Sequence, residues 1–120
     1  MQPCIKNFDL SSEYFFEEGC YITEISNSED DSGLSIARAR VEPGNTTKSH
    51  KLIDIIERYV IIEGEVLVEV GEGAPQKVSV NDVVIIPKQC IQRITNTGKV
   101  DLVFLAICTP AFDKRYYQEV

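Results

Sequence analysis

Short β-forming runs, each closed by a turn signal, fill most of this 120-residue chain. Between residues 34 and 108 the runs are separated by Gly, Pro and Asn, and many alternate apolar with polar side chains. That alternation is the period of a half-buried strand. No amphipathic run of helical length lies between them, which excludes a fold of alternating strands and helices. The pattern of about nine strands therefore predicts an all-β sandwich or barrel.

The chain is short enough to form one domain, and we assign residues 1–120 to it. Its barrel core is expected at about residues 34–108, with an N-terminal arm at 1–33 and a C-terminal tail at 109–120. No internal repeat or low-complexity linker divides the sequence.

Two local elements are expected outside the regular strand pattern. Residues 9–18 could form a short helix capped by Asp9 or Ser11. Glu63-Gly64 separates two β-forming runs and predicts a tight hairpin between them.

Charge and composition narrow the classes of partner. A net charge of −7 argues against nucleic acid or an anionic lipid surface, because both require clustered Lys and Arg. No apolar run approaches the ~18 residues of a membrane span, and the first residues lack the apolar segment of a secretory signal. The four cysteines show no C-x-x-C spacing. We therefore expect a cytoplasmic protein whose partner is a small-molecule ligand, bound or acted on, with no nucleic acid and no membrane.

Polar residues interrupt two apolar stretches, residues 44–64 and 81–96. The first stretch holds His50, the single histidine of the chain, and Glu57; the second holds Gln92. A buried charge is costly unless it is paired or bound to metal. An imidazole, a carboxylate and an amide oxygen that converge would suit Fe(II), Mn(II), Ni(II) or Zn(II). The alternative is a hydrogen-bonded polar cluster without metal.

Four further residues are candidate substrate contacts. Arg38 and Arg40 share one face of a predicted strand, where either could clamp a carboxylate, or both could lie on the outer face. Tyr59 has the inward parity of Glu57 and could be a general acid or a wall of the pocket. Cys90 could contact ligand at the barrel mouth or simply pack.

The spacing of these two stretches resembles the paired motifs of the cupins. The first motif is matched by Gly44, His50, Leu52, Glu57 and Gly64, and the second by Asn81, Pro87, Gln92 and Asn96. The resemblance covers about residues 34–108 and implies a small double-stranded β-helix, the jelly-roll barrel.

The family's metal site uses two histidines and a glutamate from the first motif and a histidine from the second. Here His50 and Glu57 match, Leu52 replaces one histidine, and Gln92 replaces the other. The chain also looks like small bacterial cupins with this same set of four residues. The resemblance implies a divalent transition metal, Fe, Mn, Ni or Zn, held by His50, Glu57 and Gln92 more weakly than by a full ligand set.

Three functional hypotheses follow from the resemblance and the polar residues. The first is a metal-dependent enzyme of the oxygenase, isomerase, lyase or cyclase type acting on a small polar molecule. The second is a non-catalytic module that binds a small ligand, and the third is a structural domain whose metal site has degenerated. Because fold alone does not give function, no substrate is assigned. We also expect a homodimer, with the aromatic side chains of residues 8–22 covering a neighbour or the barrel edge.

Overall fold

The computed structural model describes residues 1–120 and contains eleven β-strands and three 3₁₀ turns, with no α-helix. The strands are β1 Tyr14–Phe16, β2 Cys20–Ser26, β3 Ser35–Val41, β4 His50–Leu52, β5 Ile56–Glu63, β6 Val66–Val70, β7 Gln76–Val78, β8 Val83–Ile86, β9 Gln92–Asn96, β10 Leu102–Thr109 and β11 Tyr117–Glu119. The expected all-β class is confirmed. None of the helical turns has the length and apolarity that a membrane span requires.

The strands form two antiparallel sheets that pack face to face around the core. One has six strands in the order β1-β2-β3-β10-β5-β8, and the other has five in the order β11-β4-β9-β6-β7. Strands distant in sequence are neighbours, as in the pairing of β10 with both β3 and β5. The chain thus passes repeatedly from one sheet to the other, which is the jelly-roll arrangement expected from the sequence.

Side-chain alternation decides what each sheet presents to the interior. In β5 the buried positions are Glu57, Tyr59 and Ile61, which are 8%, 4% and 0% exposed. In β9 they are Gln92, Ile94 and Asn96, which are 1%, 1% and 0% exposed. Because successive side chains of a strand point to opposite faces, these parities put polar groups from both sheets into one interior.

The prediction of a helix at residues 9–18 is wrong except for its first turn. Asp9 accepts a hydrogen bond from the Ser11 amide and caps a 3₁₀ turn over Leu10–Ser12. The chain then enters β1, which pairs with β2. The aromatic residues of β1 suit a strand, and pairing with a neighbour outweighs a weak helical preference.

The prediction of a hairpin at Glu63-Gly64 is also wrong, because β5 and β6 lie in different sheets. Gly64 has φ +98° at this crossing, a conformation that favours glycine. A Cβ there would lie 3.0 Å from both the Asp101 oxygen and the Leu102 Cα. The glycine therefore allows a close approach of two backbones where the chain changes sheet.

The arm and the tail close one end of the barrel. The β1–β2 hairpin extends the six-stranded sheet, and β11 pairs with β4 at the edge of the other. Phe16 of the arm meets Phe112 and Tyr117 of the tail edge to face, with ring centroids 6.2 and 5.2 Å away. These contacts bring residues from both ends of the sequence next to His50.

Candidate functional site

A cavity of about 50 Å³ lies between the sheets at the end closed by the arm and the tail. Hydrophobic residues, tyrosines and a cysteine among them, form most of its lining. The lining side chains that carry a polar atom are Tyr14, Glu18, Glu24, Ser35, His50, Glu57, Tyr59, Cys108 and Tyr117. A water needs roughly 10–15 Å³ in such a cavity, so it has room for a few waters or one small chemical group. An adjoining surface groove shares Tyr14, Phe16, Glu24 and Phe112 with the cavity.

His50 is oriented by contacts to both of its ring nitrogens. It is 2% exposed, and its backbone pairs with that of Gln92 on β9. Nδ1 lies 2.8 Å from the Lys48 carbonyl oxygen, which can only accept, so Nδ1 carries the proton. Nε2 lies 3.1 Å from Oε2 of Glu18. The imidazole therefore turns its free nitrogen toward a carboxyl group of the arm.

Glu18 reaches His50 from the tight turn between β1 and β2. Gly19, at φ +102°, donates its amide to the Phe16 carbonyl at 2.9 Å, and the Lys48 amide donates to the Glu18 carbonyl at 2.7 Å. Burial, and then the charge of Glu57, raise the pKa of Glu18 to about 8. Burial lowers the pKa of His50. At neutral pH both groups are therefore uncharged, and the Glu18 carboxyl donates to Nε2.

Glu57 contributes a carboxyl oxygen that has no partner in the protein. Its Oε2 accepts a weak hydrogen bond from Cys108 Sγ at 3.7 Å. Gln92 and Tyr59 lie near the carboxyl, but neither closes a hydrogen bond to Oε1. Burial raises the pKa of Glu57 to about 7, and these three neighbours lower it in part. The carboxyl can therefore gain or lose a proton near neutral pH.

Gln92 is buried beside the cavity but does not line it. Its Oε1 accepts a hydrogen bond from the Tyr59 hydroxyl, and its Nε2 has no partner. Tyr59 itself lines the cavity. The amide therefore supports Tyr59 and does not offer its oxygen to the cavity.

The residues expected to bind metal do not fit a divalent ion as they are arranged. His50 Nε2 faces Glu18, the Gln92 oxygen accepts from Tyr59, and Leu52 is a buried apolar residue. No group of three or more His, Cys, Asp and Glu side chains is placed to hold a metal ion. The structure brings His50, Glu57 and Gln92 into one interior, but it does not join them into a metal-binding group.

Arg38 and Arg40 lie outside the cavity. Both extend from the outer face of β3 to Glu13, at 3.4 and 2.7 Å, and Arg40 also reaches Asp101 at 3.3 Å. These ion pairs occupy both guanidinium groups away from the interior. Cys90, in the turn before β9, is half-buried and likewise does not line the cavity.

The site residues that come from the arm and the tail were not predicted from the sequence. Glu18 contacts His50, and Tyr117 stacks on the imidazole with ring centroids 5.0 Å apart. The Glu-Gly pair at residues 18–19 signals a turn, and the tail is rich in aromatic residues. Neither signal shows that these segments fold over one particular histidine.

Comparison with known proteins supports the fold at the level of the family. A family model described as a cupin domain matches residues 37–108. No curated protein matches the chain. Several solved structures are similar over most of their length, and two of the three compared below are described by an activity.

The Streptomyces protein Pac13, a nucleoside dehydratase, has a TM-score of 0.77 at 14% identity, covering 95% of this chain and 89% of that one. A predicted oxalate decarboxylase from Thermotoga maritima has a TM-score of 0.69 at 26% identity, covering 76% and 80%. A Klebsiella pneumoniae protein with a double-stranded β-helix domain has a TM-score of 0.75 at 14% identity, covering 89% of each chain. The family match spans more than half of the sequence and agrees with the observed jelly roll, so the chain belongs to the cupin domain family.

Proposed function

We propose that the cavity binds a small polar molecule and moves protons on it without a metal ion. The observation that carries this proposal is the pairing of Glu18 with His50 beside Glu57, whose Oε1 has no partner. Buried groups with pKa values near neutral pH in a cleft are typical of general acid–base sites. The chain would then be an isomerase or a lyase among the classes expected from its sequence.

The two sides of the cavity suit opposite halves of one proton transfer. Ionised Glu57 accepts a proton from a C–H bond next to a carbonyl group. The neutral Glu18 carboxyl group gives the proton that it shares with His50 Nε2 to the carbonyl oxygen and becomes a carboxylate. The C–H bond thus breaks and an O–H bond forms. Glu57 then gives its proton either to another carbon of the enol, which yields the isomer, or to a hydroxyl on the next carbon, which leaves as water and yields the dehydrated product. In both cases an O–H proton of the enol returns to Glu18 as the carbonyl group re-forms. Pac13, a nucleoside dehydratase, shows that a similar barrel can serve loss of water.

The experiment is hydrogen–deuterium exchange at carbon, measured by proton NMR in D₂O with EDTA present. The substrates are small ketones that carry hydroxyl or amino groups. We expect the protein to accelerate exchange of at least one substrate by about 100-fold or more, the usual contribution of general acid–base catalysis. Glu57→Gln and His50→Gln should each abolish it.

Glu69→Gln is the matched control, because Glu69 pairs with Arg93 on an exposed surface. It should leave the exchange rate unchanged. Absence of exchange with every substrate, or exchange that survives Glu57→Gln, would contradict the acid–base proposal. Exchange that requires added Mn(II), Fe(II), Ni(II) or Zn(II) would return the site to metal chemistry.

Two expectations from the sequence stay as predictions. One is the homodimer: Phe8 and Phe15 of the arm are 53% and 61% exposed, and Val83 and Ile85 on edge strand β8 are 55% and 66% exposed. Such apolar side chains are available to a second copy. The other is the cytoplasmic location, with which the four free cysteines are consistent.

A further inference from the structure

The carboxyl side chains that line the cavity are not matched by any basic side chain that could pair with an anion. They are Glu18, Glu24 and Glu57, and no lysine or arginine joins them. His50 adds no positive charge, because burial lowers its pKa. A carboxylate or phosphate in this cavity would therefore meet acidic groups with no cation to pair it. The charge of the cavity disfavours anionic ligands.

Glu57 gives a second observation, independent of the cavity's charge, that points to a bound ligand. The residue is 8% exposed, lines the cavity, and leaves Oε1 without a hydrogen-bond partner. The Tyr117 hydroxyl, also in the lining, is likewise buried without a partner. An unsatisfied buried oxygen is costly, and a carboxyl oxygen is best satisfied by an N–H donor, above all a charged one.

Aromatic rings form much of the remaining wall. Phe16 stands nearly perpendicular to Tyr117 and Phe112, at interplanar angles of 79° and 84°. Lys114 Nζ already lies 6.0 Å from the centre of the Phe16 ring, near the surface groove. Aromatic rings attract ammonium groups through their electron-rich faces, and several rings together form the usual cage for organic cations.

We propose that the small molecule bound in this cavity is an organic cation, a small aliphatic carbonyl compound that carries an ammonium group. The ammonium group would donate to Glu57 Oε1, and its alkyl part would contact the aromatic wall. This inference rests on the proposed function and narrows the substrate class of the same site. Burial raises the pKa values of Glu18 and Glu57, and a bound ammonium group would favour the charged form of Glu57.

The test compares three ligands of nearly the same size and different charge: n-propylammonium, n-propanol and propionate. Each is titrated into the full chain near pH 8, where an alkylamine stays protonated because its pKa is about 10. Amide shifts of Ala37, Ala39 and Ala106, whose side chains line the cavity, report binding by NMR. We expect propylammonium to bind about tenfold or more tightly than propanol, and propionate not to bind.

Variants separate recognition of the charge from a nonspecific effect. Glu57→Gln should remove most of the preference for propylammonium over propanol, while Glu69→Gln should keep it. If propanol or propionate binds as tightly as propylammonium, the cation inference is overturned and a ligand-binding cavity remains. A preference that persists in Glu57→Gln also overturns it. If none of the three shifts the cavity residues, the cation inference and the binding role of the cavity both fail.

Discussion

Replacing Glu57 with glutamine should raise the free energy of unfolding by about 3 kcal/mol near pH 8.5 and change it little near pH 4. Burial holds the pKa of Glu57 at about 7 in the folded protein, against an ordinary value of 4.5. At about 1.4 kcal/mol for each pH unit, that difference corresponds to about 3 kcal/mol. Glutamine keeps the shape of the protonated carboxyl group and cannot acquire its charge.

The sign of this change in the free energy of unfolding depends on whether the folded or the unfolded state holds the Glu57 proton more tightly. Between pH 4.5 and about 7 the folded protein keeps the Glu57 proton after the unfolded chain has lost it. The stabilisation is therefore complete below pH 4.5 and is lost as the pH rises through about 7. Glu18, whose pKa is raised to about 8, adds to the loss in the same direction.

Urea unfolding of wild type and Glu57→Gln at both pH values measures this effect. Glu69→Gln is the control, because Arg93 lowers the pKa of Glu69 on the surface and the variant should gain no stability at high pH. A Glu57→Gln variant that is less stable than wild type at both pH values would mean that the folded protein stabilises the charge of Glu57.

The second large effect is a gain of metal binding in the double variant Leu52→His, Gln92→His. Leu52 lines the cavity, and the backbone of Gln92 pairs with that of His50. The variant would have three histidines and Glu57, a ligand set of the kind that zinc prefers. We expect its affinity for Zn(II) to exceed that of wild type by about 100-fold or more. Isothermal calorimetry measures both affinities directly.

The same double variant carrying His50→Ala is the matched control, and it should lose most of the gain. Leu52 packs with Ile55 and Cys108, so the metal-free variant should be less stable than wild type, and circular dichroism must show that it folds. A folded double variant that binds Zn(II) no better than wild type would show that the missing donors are not what prevents metal binding.

The sequence predicted the barrel and the inward residues because alternation and turn chemistry are local signals. The parity of Glu57 and Tyr59 follows from the pleat of one strand, and the burial of Gln92 follows from another. The prediction of a hairpin at Gly64 was wrong because this signal is also only local. A glycine marks a turn, but it does not tell whether the next strand stays in the same sheet.

The chemistry of the site could not be predicted, because it depends on contacts between distant parts of the chain. Glu18 comes from a turn of the arm, and Tyr117 comes from the last strand. Both reach His50 only after the ends of the chain fold over the barrel. The Glu18 carboxyl group already contacts Nε2 of His50, so this nitrogen is not free to coordinate a metal ion. In the proposed function His50 is therefore half of an acid–base pair, whereas the prediction from the sequence made it a metal ligand.

The most direct test of this account is the nitrogen-15 spectrum of the imidazole of His50, which is unambiguous because the chain has one histidine. At neutral pH we expect a proton on Nδ1, held by the Lys48 carbonyl, and an unprotonated Nε2 that accepts from Glu18. One equivalent of Zn(II) should leave both resonances in place. A proton on Nε2 with Nδ1 bare, or a Zn(II)-induced shift of Nε2, would contradict the metal-free acid–base site.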